Sequence, residues 1–398
     1  MLTLDNIYKA NHRLKKIIRR TDLIQARSLS GENQVYLKPE NLQVTGSFKI
    51  RGSFYKVSCL SDEEKSRGII ASSAGNHAQG VALAAARNGV KARIFVPSTA
   101  PLSKIEATKR YGAEVVLVDG VYDDAYSAAI QAVEETGAIF IHPFNDEDVI
   151  AGQGTIGLEI LDQLHDVDAV IVPIGGGGLA SGVAFTIKKL NPDVRVYGVQ
   201  AQGASAMFDS IHQHALTRTD KVTTFADGIA VKRPGEMTYE ICGQFLDDLV
   251  TVNDDEIAAA ILKLMEDEKV VAEGAGATGV AALLFNKIPE KGKKIVPIVS
   301  GGNIDVTILS RVITRALLTT GRISDLCLEL IDKPGQLKEV AEIIANHGAN
   351  VTKVNHEHGG EHTDINGCYL RLTLETRNHD HFAEICGALR AAGYAFRE

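Results

Sequence analysis

The residues of this sequence best suited to covalent chemistry lie in Thr45-Gly46-Ser47-Phe48-Lys49-Ile50-Arg51-Gly52. A lysine amine forms an imine only when partly deprotonated, and desolvation in a closed cleft achieves this. Phe48 offers apolar shielding beside it, although most lysines are solvated surface residues. A second segment, Ser72-Ser73-Ala74-Gly75-Asn76-His77-Ala78-Gln79-Gly80, follows an apolar run and opens a helical pattern. Backbone N–H groups at a helix start, among small polar side chains, suit a carboxylate, while the alternative is a plain N-cap at Ser73 or Asn76. The third segment is Pro173-Ile174-Gly175-Gly176-Gly177-Gly178-Leu179. Consecutive glycines cost folding entropy and add no packing, so this run is expected to let backbone N–H groups approach a phosphate. No Gly-Lys-Ser/Thr follows, and no G-x-G-x-x-G opens an early strand–helix unit, so neither nucleotide-binding loop is indicated. The fourth segment, Ser300-Gly301-Gly302-Asn303, ends an apolar run, where ligands gather in parallel sheets; its alternative is a simple glycine turn.

These segments need a scaffold of strands running into helices. Candidate strands are 68–71, 92–96, 114–119, 139–142, 169–173, 194–200 and 294–299, separated by helical patterns such as 77–87, stopped at Asn88-Gly89, and 102–111, closed by Gly112. Continuous apolar strands with crossover helices predict parallel sheets covered on both faces, in two lobes that meet at a cleft. The rhythm changes near residue 322. Strands at 326–331, 351–355 and 369–375, helices at 337–346 and 382–392 and a short last strand spell β-α-β-β-α-β, the ferredoxin-like order. The expected organisation is a 1–320 domain with a smaller lobe at roughly 50–150 inserted in a larger one, then a 322–398 domain.

Composition narrows the function classes. The 398 residues carry a formal net charge of −8 and 45% hydrophobic residues, and the mean hydropathy is near zero, as in ordinary globular proteins. A net negative chain argues against a nucleic-acid partner, and the basic run Arg13–Arg20 reads as one face of an amphipathic helix. No apolar run is long enough for a membrane span and no leader pattern opens the chain, so a cytoplasmic location is expected. Five scattered cysteines include no C-x-x-C pair, which suggests neither a disulfide framework nor a cysteine zinc site. The stretch from Asn355 to Asp364 holds His356, His358 and His362 with Glu357 and Glu361. It reads better as a polar hairpin between strands than as a metal site, and no metal is expected.

Taken together and in this order, the four segments resemble the fold type II pyridoxal-phosphate enzymes, specifically the threonine dehydratases (threonine ammonia-lyases), with serine dehydratases and serine racemases as relatives. The resemblance covers residues from about 18 to 320. It implies pyridoxal 5'-phosphate as cofactor, carried covalently on Lys49 beside Phe48. It implies Asn76 at the cofactor's 3-hydroxyl, the run Ser73, Ala74, Gly75, Asn76 and His77 around the substrate carboxylate, Gly175, Gly176, Gly177 and Gly178 around the phosphate, and Ser300 at the pyridine nitrogen. Glu273, in Ala272-Glu273-Gly274-Ala275-Gly276, falls on a segment that lines the pocket in relatives, although it also fits a helix-start acid. A serine hydroxyl cannot sustain a positive pyridinium, so a milder electron sink and rapid loss of a β-leaving group are expected. The amine of Lys49, once freed, would take the Cα proton as general base.

Three departures discriminate among relatives. Racemases of this group carry a serine where this chain has Ala74, which has no proton to exchange, so elimination is favoured over racemisation. Their divalent-metal segment corresponds to Gln200–Ala206, which lacks carboxylates, so no stimulating Mg²⁺ or Ca²⁺ is expected there. Relatives usually have Thr-Pro-Leu at Thr21-Asp22-Leu23. Residues 326–398, with Asp332-Lys333-Pro334-Gly335-Gln336-Leu337 in the first turn, resemble an ACT domain, which implies an amino-acid effector near Pro334, Gly335, Gln336, Leu337, Gly348, Asn350 and Val351. The expected activity is conversion of L-threonine to 2-oxobutanoate and ammonia, and of L-serine to pyruvate, by a homo-oligomer (dimer or tetramer) under amino-acid control. The alternatives are a serine- or 3-hydroxyaspartate-directed dehydratase, a racemase of the same fold, and a non-catalytic amino-acid-binding protein.

Overall fold

The computed structural model describes residues 1–358 and 365–397. The chain divides into two compact units, Met1–Val306 and Thr307–Glu398. Strands of the first unit are β1 (Ile24–Gln25), β2 (Gln34–Pro39), β3 (Ile69–Ser72), β4 (Ala92–Pro97), β5 (Glu114–Val118), β6 (Ile139–Phe140), β7 (Ala169–Pro173), β8 (Arg195–Ala201), β9 (Asp248–Val252) and β10 (Lys294–Val299). They form a larger sheet in the order β1-β2-β10-β7-β8-β9 and a smaller one in the order β5-β4-β3-β6. Every pair is parallel except β1–β2. The chain leaves the larger sheet after β2 and rejoins it at β7, so the smaller lobe is an insertion.

Burial explains the parallel arrangement. Ala169–Pro173 is buried at every position, and Lys294–Val299 at every position after the first. Strands with no polar face must be covered on both sides, which crossover helices do. The helix Lys49–Cys59 lies against Asn76–Asn88 and Glu147–Gln163. Its approach to the latter is backbone to backbone, since a Cβ on Gly152 would stand 2.6 Å from the Arg51 carbonyl oxygen and the Gly52 Cα.

Several strand ends differ from the sequence expectation. The strand expected at 68–71 is Ile69–Ser72, that at 139–142 shortens to Ile139–Phe140, and that at 194–200 shifts to Arg195–Ala201. Three strands were not expected, the two-residue β1 among them. β2 carries Lys38 inside an apolar run, and that lysine is buried because Glu159 pairs with it at 2.6 Å. β9 is a five-residue strand whose burial is mixed.

The second unit begins within the helix Val306–Thr319. Then come β11 (Ile323–Ile331), β12 (Asn350–His358), β13 (Gly367–Glu375) and β14 (Ala395–Phe396), with helices Gln336–Asn346 and His379–Ala391 between them. The sheet is antiparallel in the order β12-β13-β11-β14. Leu326, Leu328 and Leu330 alternate inward on β11 and meet Val340, Ile344, Ile385 and Leu389 from the helices. Among the described residues no helix is long and apolar enough to cross a membrane.

Candidate active site

Lys49 is the first residue of its helix. The segment before it is stitched to the end of β10: Ser47 bridges Gly301, the Phe48 N–H donates to the Ser300 carbonyl at 3.1 Å, and the Gly302 N–H donates to the Gly46 carbonyl at 2.9 Å. Two segments some 250 residues apart in sequence thus form one floor. The Lys49 ammonium donates to the Pro143 carbonyl at 3.0 Å and lies 5.2 Å from the Phe48 ring centroid. Burial lowers its pKa from the usual lysine value to about 8, against the opposing pull of the Glu273 carboxylate. The positive end of the helix dipole also disfavours the ammonium there.

A cavity of about 990 Å³ opens over this floor, and every residue expected of the catalytic unit lines it: Phe48, Lys49, Ser73 to His77, Gly175 to Gly178, Glu273 and Ser300. Among the described residues the Ser300 hydroxyl has no protein partner, so it is available to a ligand in the cavity. Gly177 caps the helix Gly178–Leu190 with φ +98°. The Gly176 carbonyl accepts from the Thr238 hydroxyl at 2.6 Å, which ties the loop down from behind. No described protein group accepts from the N–H groups of Gly175 to Leu179. Such a row of free donors at a helix start is what a phosphate needs. The protein side also demands glycine: a Cβ on Gly176 would fall 2.4 Å from the Phe144 ring.

The second helix start faces the same cavity. The N–H groups of Ala74, Asn76 and His77 have no acceptor among the described residues, whereas that of Gly75 donates to the Ser73 hydroxyl at 3.2 Å. The His77 ring is buried, and its Nε2–H donates to the Ile141 carbonyl at 2.8 Å. Burial, with the Lys49 charge nearby, drops its pKa to about 3, so the ring stays neutral and anchors the turn. Asn76 links two segments: its Nδ2 donates to Glu273 Oε1 at 2.6 Å, and its Oδ1 accepts from Asn303 Nδ2 at 2.7 Å. Glu273 stands at the N-cap of the helix Gly274–Leu284 without capping it through its side chain. Burial, then the nearby Asp227 charge, raises its pKa to about 7.

Sequence reasoning missed several cavity residues. Lys104 of the smaller lobe pairs with Asp227 of the larger one, and Tyr122, His142 and Phe144 complete the walls. Beneath the Lys49 helix lies a buried ion network. Arg51 binds Glu40 and Glu159, each at 2.7 Å, Lys38 binds Glu159 at 2.6 Å, and Thr21 donates to Glu40 at 2.6 Å. Arg51 lies in the first motif segment, but its partners Glu40 and Glu159 and the neighbouring Lys38 carried no local motif.

In the second unit a cavity of about 480 Å³ is lined by Pro334, Gly335, Gln336 and Leu337, together with Asp332, His356 and Cys368. Gly348, Asn350 and Val351 do not line it, and Asn350 instead donates to Glu375 at 2.9 Å. Of the His-rich stretch, His356 and His358 lie on β12, while 359–364, with Glu361 and His362, fall outside the described residues.

Comparison with known proteins matches residues 14–301 to the pyridoxal-phosphate dependent enzyme family and residues 321–393 to the ACT domain. The L-threonine ammonia-lyase of Thermotoga maritima is 50% identical over 100% of this chain and 99% of its own. That of Geobacter sulfurreducens is 44% identical over 99% and 98%. Among solved structures, the processed threonine deaminase isoform 2 of Solanum lycopersicum superposes with a TM-score of 0.74 at 39% identity, over 78% of this chain and 94% of that one. Maize serine racemase gives 0.75 at 36% identity, over 80% and 98%.

Proposed function

Because this chain belongs to the pyridoxal-phosphate dependent enzyme family and carries an ACT domain, we propose that it is a threonine ammonia-lyase, converting L-threonine to 2-oxobutanoate and ammonia and L-serine to pyruvate and ammonia. One observation carries the reading: a lysine amine with a pKa near 8 shares its cavity with two separate helix starts whose N–H groups are free. One start suits a phosphate and the other a carboxylate, the two anionic ends of a cofactor–amino-acid pair.

The residues present fit the cofactor. Gly175 to Gly178 offer donors to its phosphate, the free Ser300 hydroxyl suits its ring nitrogen, and Phe48 supplies apolar surface beside Lys49. When bound, pyridoxal phosphate supplies an electron sink for the charge left as the Cα proton departs. Lys49 attaches the cofactor and, with its amine freed by substrate, takes that proton; a pKa near 8 leaves a usable fraction neutral at physiological pH. The Ala74, Asn76 and His77 amides hold the substrate carboxylate and so fix which bond at Cα faces Lys49. Ala74 puts no proton donor on the other face, which supports elimination over racemisation. The ACT domain supports control by an amino acid, and the proposed enzyme is a homo-oligomer in the cytoplasm.

Steady-state assay of the full-length holoenzyme with L-threonine, L-serine and 3-hydroxyaspartate tests this reading through the 2-oxo acid released. The highest kcat/KM is expected for threonine. A preference for 3-hydroxyaspartate, or D-serine forming from L-serine as fast as pyruvate, would overturn it.

A further inference from the structure

We propose that Asp332, His356 and Cys368 form a binding site for a first-row divalent cation of the zinc class, in the cavity of the second unit. The sequence places these residues far apart, and the β register gathers them. Cys368 on β13 lies opposite His358 on β12, with His356 opposite Leu370 two positions along. Opposed residues in an antiparallel pair, and positions two apart on one strand, point to the same face, so His356 and Cys368 are diagonal neighbours. Leu330 on β11 pairs with Cys368 from the other side, and Asp332 follows directly after the end of β11.

One ligand atom each from Asp332, His356 and Cys368 lies within 4.8 Å of the other two. Tetrahedral zinc, with ligand bonds of about 2.0 to 2.3 Å, holds its ligand atoms about 3.4 to 3.6 Å apart. The difference falls to Asp332 and His356 to close, since both are exposed while Cys368 is buried. The Asp332 carboxylate is already oriented, since His358 Nε2–H donates to its Oδ2 at 3.1 Å. Such outer hydrogen bonds to a ligand are a recurring feature of metal sites.

The donor set selects the ion. One thiolate, one imidazole and one carboxylate suit zinc and its neighbours and disfavour magnesium and calcium, which take oxygen ligands. On binding, the Cys368 thiol gives up its proton to solvent and the thiolate ligates. Three protein ligands leave a fourth tetrahedral position facing a cavity of about 480 Å³. Water fills it, or the amine or carboxylate of a small molecule held beside Pro334 to Leu337.

The test is equilibrium dialysis of full-length holoenzyme against zinc alone, with metal content measured per chain and zinc X-ray absorption recorded on the loaded protein. Wild type is expected to hold one zinc per chain, with a sulfur neighbour at about 2.3 Å. His356→Ala removes an exposed ligand without touching the core, and should weaken binding at least about tenfold. Cys368→Ser should remove the sulfur signal, with circular dichroism confirming that the variant is folded. Failure of wild type to take up zinc, undiminished binding by His356→Ala, or a zinc environment without sulfur would each overturn the proposal.

Discussion

Replacing Gly177 with alanine tests whether the glycine run is built to hold an anion. Gly177 has φ +98° at the helix N-cap, a conformation that costs a residue bearing a Cβ about 1–2 kcal/mol. The added Cβ would also stand 2.6 Å from the Met207 methyl and 2.8 Å from the Thr238 Cβ. Methionine can move away cheaply. Thr238 cannot, because its buried hydroxyl donates to the Gly176 carbonyl at 2.6 Å with the Gly235 carbonyl 3.1 Å away, and overpacking of this kind costs about 1–3 kcal/mol. The sum is about 2–5 kcal/mol. A loop without cofactor can relax away from the strained geometry, so most of this cost should be met when the phosphate binds. At 1.4 kcal/mol per decade, cofactor affinity should fall about 30-fold to several thousand-fold. The assay is titration of cofactor-free Gly177→Ala with pyridoxal phosphate, followed by visible absorbance, beside a thermal melt. An affinity within about threefold of wild type with a lowered Tm would refute the reasoning, because the glycine would then serve the fold and not the ligand.

Two further outcomes follow from the electrostatics. With a pKa of about 8, Lys49 is about one-tenth neutral at pH 7, against well under a thousandth for an ordinary lysine near 10.4. The rate at which colour appears on adding cofactor should therefore rise between pH 6 and 8 and level off above; a tenfold rise per pH unit continuing to pH 10 would contradict the buried-amine picture. Glu159→Gln leaves the buried Lys38 and Arg51 charges facing Glu40 alone, and removing one partner from a buried network costs about 3–5 kcal/mol. Thermal melting should register this as a clear fall in Tm of the catalytic unit, and a loss below about 1 kcal/mol would show that the network is not the anchor of the Lys49 helix.

What the sequence made legible was local. Ala169–Pro173 and Ile295–Val299 are uninterrupted apolar runs, the second entered from Lys294, so both strands were placed to the residue. The four motif segments were visible because glycine and small polar residues mark helix starts and strand ends wherever they fall in a fold. β2 was not visible, because the charge that admits Lys38 to its run is that of Glu159, 121 residues later. Separations of 123 and 227 residues likewise hid the Lys104–Asp227 pair and the contact of Asn303 with Asn76. The histidines of β12 read as a polar hairpin because their partners Asp332 and Cys368 belong to other strands or their ends.

Asn76 shows how the floor can be fixed before a ligand arrives. A primary amide has two N–H donors and two lone pairs on its oxygen. Here one N–H is spent on Glu273 and one lone pair on Asn303, which sets the plane and the sense of the amide. One donor and one acceptor position are left, enough for the cofactor hydroxyl in the role proposed for this residue, without breaking either existing bond. Glu273 is held in turn by opposing influences: burial and Asp227 favour its neutral form, while Lys104, Asn76 and Lys49 favour its charge. Because Lys104 reaches Asp227 from the smaller lobe, the charge on Glu273 depends on both lobes being in place. Asn76 is thus oriented from the larger lobe through Asn303 and Glu273 while its backbone belongs to the smaller one, so the orientation of the amide depends on contacts from both lobes.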